Sequence, residues 1–271
     1  MRVLGLLAAY NEERFIAGCL EHLIRQGVDA YLIDNESTDE TVAIAERFLG
    51  KGLTGIERFP RAGVYSWGPL LARKAELAAA LDADWFLHMD ADEMRMAPSS
   101  EMTLAEALAG VDGEGYNAVN FQEFTFVPTR EAPDHDHPDF VETMSWYYPF
   151  LPRFPHQLKA WKRQREPVEL TSSGGHEVQF ADRRIYPASF PMRHYLFLSI
   201  PHAIEKYVQR AYDPVEVAEG AHAVRAALSP DSFRLLPEAE LRTYESDDAL
   251  DDSDPFAYHP ALGVQPPKGS G

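Results

Sequence analysis

Residues 85–94 read WFLHMDADEM, an apolar run that passes without a break into three carboxylates, Asp90, Asp92 and Glu93. Five consecutive apolar or weakly polar residues bounded by charge suit a strand covered on both faces, as in a parallel sheet. Ligands of such sheets gather beyond the carboxyl ends of the strands. Two carboxylates converging there repel one another unless they share a proton or hold a cation, and hard oxygen donors favour magnesium or manganese. A bare D-x-D also caps ordinary turns, so its surroundings decide the reading.

Upstream, the same scheme occurs three times. Val3 to Ala9 is apolar throughout and leads into helical spacing through Phe15, Ile16, Cys19, Leu20, Leu23 and Ile24. A second strand ends at Ile33 and is followed by the polar DNESTD and a helix over Val42 to Leu49, stopped by Gly50 and capped by Thr38 or Asp39. LTGIERF gives a third strand and PLLARKAELAAALDA a third helix. Alternating strands and helices imply a parallel sheet with helices on both faces.

Downstream the alternation weakens. YNAVNFQEFTFV reads as one long strand, residues 128–149 as an irregular insertion, and FLPRF, HEVQF and RRIYPA as further strands. From Ile200, PHAIEKYVQRAY and PVEVAEGAHAVRAAL carry helical spacing, and the acidic, Pro-rich chain beyond Pro237 reads as a tail with mobile last residues.

Composition narrows the function. The formal net charge is −18, without a basic run to follow a phosphate backbone, so nucleic acid is not an expected partner. An anionic substrate must then be held locally, by a cation, a few arginines or backbone N–H groups. The single cysteine, Cys19, excludes a disulfide framework and fits a small core residue in a reducing compartment. The first apolar run is shorter than a membrane span. Glycine-rich phosphate loops are absent.

Together AAYNEERFIAGCL, YLIDNESTDETVAIAERF and LLARKAELAAALDADWFLHMDADEM resemble glycosyltransferase family 2 in order and spacing. GGHEV and RHYLFLSIPHAIEKYVQRAY are similar to a bacterial subset in which a His-Tyr pair precedes a Ser and a Lys-bearing helix. The resemblance implies the GT-A (Rossmann-like) α/β fold of nucleotide-diphospho-sugar transferases: a mixed central sheet, flanking helices and C-terminal helices. Residues 1–236 would form one catalytic domain, with a donor half at 1–98 and an acceptor half at 99–236, followed by the tail at 237–271.

By the same resemblance Ala8, Tyr10 and Asp34 would hold the nucleotide base, Asp34 accepting from a uracil-like imide N–H. Ala8 departs from the small hydroxyl residue of some members, which leaves the base open between UDP and GDP, with a UDP-sugar favoured. Arg73 would lie near the nucleotide, Asp90 at the ribose or metal, and Asp92 would be the principal ligand of magnesium or manganese. In the second half the glycine-flanked GGHEV offers His176 as metal ligand or polar contact and Glu177 as base for an inverting transfer. In a regular strand these two side chains face opposite sides. His194, with Arg193 and Lys206, is a further candidate at the metal or diphosphate. DHDHPD at 134–139 reads as a zinc-capable loop or a solvated acceptor-side insertion, and Trp67, Trp146, Tyr147, Tyr148 and Trp161 as sugar-stacking or packing residues. A carbohydrate or lipid-linked acceptor, a role in bacterial surface polysaccharide or lipopolysaccharide synthesis, and a cytoplasmic enzyme at the inner membrane face complete the expectation. A nucleotidyltransferase, or a binding protein without turnover, is the alternative.

Overall fold

Continuous apolar runs become the innermost strands. β1 (Val3–Ala9) is followed by α1 (Ile16–Arg25), β2 (Val28–Asp34), α2 (Thr41–Glu46), β3 (Leu53–Arg58), α3 (Trp67–Ala80) and β4 (Trp85–Met89). The computed structural model describes residues 1–151, 157–220 and 222–263. β1 pairs in parallel with both β2 and β4, and β2 with β3. All five residues of β4 are buried, which explains its unalternating sequence. α1 turns Ile16, Cys19, Leu20 and Leu23 onto the sheet at helical spacing. Burial pushes the Cys19 thiol far above its usual pKa, so it acts as a small hydrophobe.

The chain divides into two compact units, one of residues 1–62, 67–122 and 156–192, the other of 63–66, 123–155 and 193–271. In the first, β5 (Glu93–Arg95) and α4 (Leu104–Gly113) follow β4. A capping box opens α4: Thr103 accepts from the Glu106 N–H, and Glu106 accepts from the Thr103 N–H. The sheet is completed by β6 (Ala118–Val119), which reaches it through an antiparallel strand at 160–162, giving the order 3-2-1-4 and then these two. This is the mixed α/β sheet expected.

The long strand expected over 116–127 breaks at Asn120, where β6 stops and β7 (Phe121–Phe126) begins in another sheet. Asn120 secures the break: its Nδ2 donates to Ser189 Oγ at 2.9 Å and its Oδ1 accepts from the Gln157 N–H at 3.2 Å. The insertion read at 128–149 contains a helical turn, α5 (Phe140–Thr143), and β8 (Trp146–Phe150). β9 (Ala160–Lys162) and β10 (Phe190–Tyr195) carry no clear alternation. HEVQF and RRIYPA form single bridges, Glu177 to Leu158, Gln179 to Glu169 and Ile185 to Ala118, instead of strands. FLPRF runs from the end of β8 into residues 152–156, outside the described residues.

In the second unit the helical stretch from Ile200 is α6 (Ile200–Ala203) running into a wider turn at Ile204–Val208. The next stretch splits into α7 (Pro214–Ala218) and α8 (Ala223–Ala226), because Gly220 and His222 take positive φ of 95° and 56°. β11 (Arg242–Thr243) pairs with β8. Ala261 and Leu262 are buried with Val127, Tyr148, Phe197, Tyr207 and Phe233, so the chain from 237 to 263 contributes to this unit's core. Residues 264–271 lie outside the described residues.

Candidate functional site

The loops at the carboxyl ends of β1, β2 and β3 are stitched together by short polar side chains. Asn11, at φ 55°, accepts from the Thr38 N–H at 2.8 Å through Oδ1, and its own N–H donates to Ser37 Oγ at 3.0 Å. The Glu12 N–H donates to Thr41 Oγ1 at 2.8 Å and the Glu13 N–H to Asp39 Oδ2 at 3.1 Å. Asp39 also accepts from the Thr41 N–H at 3.0 Å, while the residue at the N-cap of α2 is Glu40, which makes no side-chain capping bond, instead of the Thr38 or Asp39 expected. Asp34 is buried, and its Oδ1 accepts from the N–H of Ser37, three residues on, at 3.2 Å. Ala8 and Tyr10 stand half-buried on the neighbouring strand end.

Arg61 enters this cluster without having been singled out in the sequence. Its guanidinium carbon lies 3.5 Å from the centre of the Tyr10 ring, and its Nη1 donates to Asn35 Oδ1 at 3.3 Å. No periodic pattern marks it, since RFPRAG reads only as a turn. Arg73 lies on α3, where Nε and Nη2 reach Glu57 at 2.9 and 2.8 Å and Nη1 reaches Glu76 at 2.9 Å. These carboxylates raise its pKa further.

The turn after β4 sorts its three acids. Glu93 is buried and engaged: Lys159 Nζ lies 2.7 Å from its Oε1, and Arg95 binds its Oε2. Arg95 also donates to the His88 carbonyl and has no exposed side-chain surface. Asp90 is about half exposed (48%), with Lys159 at 3.8 Å. Asp92 is 9% exposed. Lys74 on α3, also buried, donates to the Met89 carbonyl at 2.9 Å and contacts His88 Nδ1 at 3.1 Å. Desolvation disfavours the charge on Asp90, but Lys159, His88 and Lys74 outweigh it and hold the carboxyl well below its usual range. Burial brings Lys74 down to about 8, and burial with Lys74 alongside lowers His88 well below the usual imidazole range. Glu93 is thus engaged within the protein. Lys159 carried no signal, being a lysine between the apolar Leu158 and Ala160.

GGHEV folds against α3 and β4. Gly174 and Gly175 take φ of 63° and 82°. A Cβ on Gly174 would sit 2.5 Å from the Trp67 ring, and one on Gly175 would sit 2.9 Å from His88 Nε2. Only glycine permits both the backbone conformation and the approach. His176 is exposed, while Glu177 Oε1 is paired with Arg183 at 2.6 Å. Among the described residues no three His, Cys, Asp or Glu side chains come together as a metal cage. Asp90 and Asp92 fit magnesium all the same, because it is commonly bound by one or two carboxylates plus substrate phosphates.

His194, Arg193, Lys206 and DHDHPD belong to the second unit. His194 Nδ1 is 2.6 Å from Glu123 Oε1, which also accepts from Thr125 Oγ1 at 2.9 Å. Burial opposes the Glu123 charge, yet His194 brings its pKa down to about 2. Arg193 faces Asp247 at 3.4 Å, and Lys206 donates to the Leu196 carbonyl at 3.2 Å. In DHDHPD, His135 and His137 both contact Thr143 Oγ1, at 2.9 and 3.3 Å. Tyr147, Tyr148 and Trp161 are buried, and Trp67 covers Gly174. No helix among the described residues is long and apolar enough to cross a membrane.

Residues 6–158 match the sequence profile described as Glycosyl transferase family 2. No curated protein matches the chain. Among solved structures, residues 1–349 of TarS from S. aureus in complex with UDP are similar at 13% identity and a TM-score of 0.44, over 75% of this chain and 66% of that one. Glucosyl-3-phosphoglycerate synthase from Mycobacterium tuberculosis, in complex with Mn2+, UDP and glucosyl-3-phosphoglycerate, is similar at 22% identity and a TM-score of 0.32, over 46% of this chain and 44% of that one. The chain spans between 39% and 66% of the length of the TarS chains it matches.

Proposed function

Because the chain belongs to glycosyl transferase family 2, we propose that it transfers a sugar from a nucleoside diphosphate sugar, a UDP-sugar in preference, to an acceptor hydroxyl with inversion. The observation that carries this reading is the pair of acidic positions at the carboxyl ends of parallel strands: buried Asp34 after β2, and Asp90 and Asp92 after β4. Asp34, Tyr10 and Ala8 take the base; Asp90 and Asp92 hold magnesium or manganese against the diphosphate. The ion supplies charge neutralisation on the leaving diphosphate. Arg73, near the nucleotide in this reading, is held by Glu57 and Glu76 and stabilises the wall between β3 and α3.

Glu177 is the base of this reading. Arg183 holds its carboxylate at 2.6 Å, and proton removal from the acceptor needs that ion pair to loosen. His176, exposed beside it, is a polar contact for donor or acceptor. A carbohydrate or lipid-linked acceptor in bacterial surface polysaccharide or lipopolysaccharide synthesis, met in the cytoplasm at the inner membrane face, suits such a donor.

Calorimetric titration of UDP and GDP, with manganese, magnesium or chelator, tests the donor site in the parent and in Asp92→Ala. Binding of one diphosphate that requires both metal and Asp92 is expected. Absence of nucleotide binding in every condition refutes the reading. Donor binding that persists in Glu177→Gln with turnover lost supports the base; a parent that binds and never turns over is a binding protein.

A further inference from the structure

DHDHPD at 134–139 brings two imidazoles to one oxygen. His135 Nδ1 lies 2.9 Å from Thr143 Oγ1, and His137 Nε2 lies 3.3 Å from the same atom, which stands on α5 six residues beyond His137. Both sides of the arrangement are anchored. The His135 N–H donates to the Leu198 carbonyl at 2.8 Å, and the His137 N–H returns to the His135 carbonyl at 2.8 Å, closing a tight turn between the two rings. The Asp136 N–H donates to Asp134 Oδ1 at 2.9 Å. On the facing turn the Thr143 N–H donates to the Asp139 carbonyl at 3.2 Å, and buried Phe140 packs edge-on against Tyr195 with ring centroids 5.0 Å apart. His135 is 6% exposed and His137 is exposed, so one ring is fixed within the protein while the other is able to turn towards it.

A threonine hydroxyl has a single proton, so it donates to one of the two nitrogens and accepts from the N–H of the other ring. That is one way to satisfy the pair of nitrogens, and a cation that favours imidazole is the other. Donor atoms on a tetrahedral zinc, at bonds of about 2.0–2.1 Å, lie about 3.3 Å apart, and two imidazoles on one such ion have ring centroids about 5 Å apart. Here the nitrogens lie 2.9 and 3.3 Å from the shared oxygen, and the ring centroids are 6.2 Å apart. A swing of about 1 Å by the exposed His137 ring closes that difference. Burial and His137 hold His135 below the usual imidazole range, against the Ala132 carbonyl and Asp134, so its ring is neutral at pH 7, the state a metal binds. We propose that His135 and His137 form a zinc site in the second unit, their two ring nitrogens binding the ion and water completing the shell beside Thr143 Oγ1. Imidazole selects zinc over magnesium, whereas the carboxylate oxygens of Asp90 and Asp92 suit magnesium or manganese. With two protein ligands the site is open and exchanges readily, in keeping with the lack of a closed cage of three such side chains among the described residues.

The inference is independent of the donor-site reading, and its failure would leave the nucleotide titrations untouched. Metal-free protein without a histidine tag is titrated with zinc chloride in the calorimeter, and melting temperatures are recorded with and without zinc. The comparison of His135→Ala and His137→Ala with the unsubstituted histidines is made in the Asp92→Ala background, which disarms the strand-end carboxylates, and repeated in the parent in excess magnesium. The protein with both histidines is expected to bind zinc in either background and to melt at a higher temperature when zinc is present. His137→Ala, a change at an exposed position, should bind zinc about tenfold more weakly or worse and lose the zinc-dependent rise in melting temperature. His135→Ala should do the same, and His137→Ala decides the matter if that buried substitution does not fold. Zinc affinity unchanged in His137→Ala overturns the site and leaves the two rings as a hydrogen-bonded staple of the loop. Zinc binding that vanishes with Asp92→Ala puts the ion at the strand-end carboxylates and overturns it as well, as does a parent that binds no zinc.

Discussion

Replacing Lys159 with methionine probes the buried charge network that supports the turn after β4. The ammonium lies 2.7 Å from Glu93 Oε1, and both side chains are about 5% exposed or less. At an effective dielectric of about 20, that separation corresponds to roughly 6 kcal/mol of attraction. Removing the ammonium also removes its own desolvation cost, and Arg95 still neutralises Glu93, so the net loss should fall near the lower end of the 3–5 kcal/mol typical of a broken buried pair. We expect Lys159→Met to destabilise the protein by about 3 kcal/mol in urea unfolding at neutral pH. Because the cost arises from a carboxylate left with too little compensation, adding Glu93→Gln should restore part of it. A double-mutant cycle should then give a coupling of at least about 1 kcal/mol. A loss below about 1 kcal/mol, or strict additivity of the two substitutions, would refute the reasoning and make the ion pair incidental.

Gly174→Ala forces a positive φ of 63° on alanine and drives its Cβ to 2.5 Å from the Trp67 ring, so a stability loss of about 1–3 kcal/mol is expected by thermal unfolding. Gly50, at φ 72° with nothing within 4 Å of its Cβ position, should tolerate alanine better. Glu123, brought down to about 2 from an ordinary 4.5, contributes stability that is complete above about pH 4.5 and lost as the pH falls towards 2. Acid unfolding of Glu123→Gln should accordingly show a flatter limb in that window. Lys74, at about 8 instead of 10.5, acts in the opposite sense: between these values the unfolded chain binds more protons, so stability should rise with pH. That rise should be missing in Lys74→Met unfolding curves.

β1 and β4 were legible because each is buried along almost its whole length and is spelled as a nearly unbroken apolar run, Val3 to Ala9 and Trp85 to Met89, whereas β2 and β3, with partly exposed residues, were read from their place between helices. The helices between them were legible through spacing, as in Ile16, Cys19, Leu20 and Leu23. Periodicity failed beyond residue 115 because the strands there are two to six residues long and several bury charged side chains, so that Arg193 and His194 mask β10. The break at Asn120 was illegible for a related reason: the apolar alternation continues across it while the chain changes sheet. Of the site, the positions of Asp34, Asp90 and Asp92 could be read from strand ends. The engagement of Glu93 by Arg95 and Lys159, 2 and 66 positions away, the capture of Glu177 by Arg183, 6 positions away, and the seating of Arg61 on Tyr10, 51 positions away, follow no helix or strand period, and no local pattern encodes them.

Cys19 has a practical consequence. The only thiol of the chain is fully enclosed beneath α1 and strongly disfavours its reactive thiolate form. Maleimides and spin labels should therefore pass over the unmodified protein, and a cysteine placed at an exposed position such as Glu21 or Lys51 would become a unique attachment point. Distances and motions during donor binding could then be followed by fluorescence or electron paramagnetic resonance without first building a cysteine-free background.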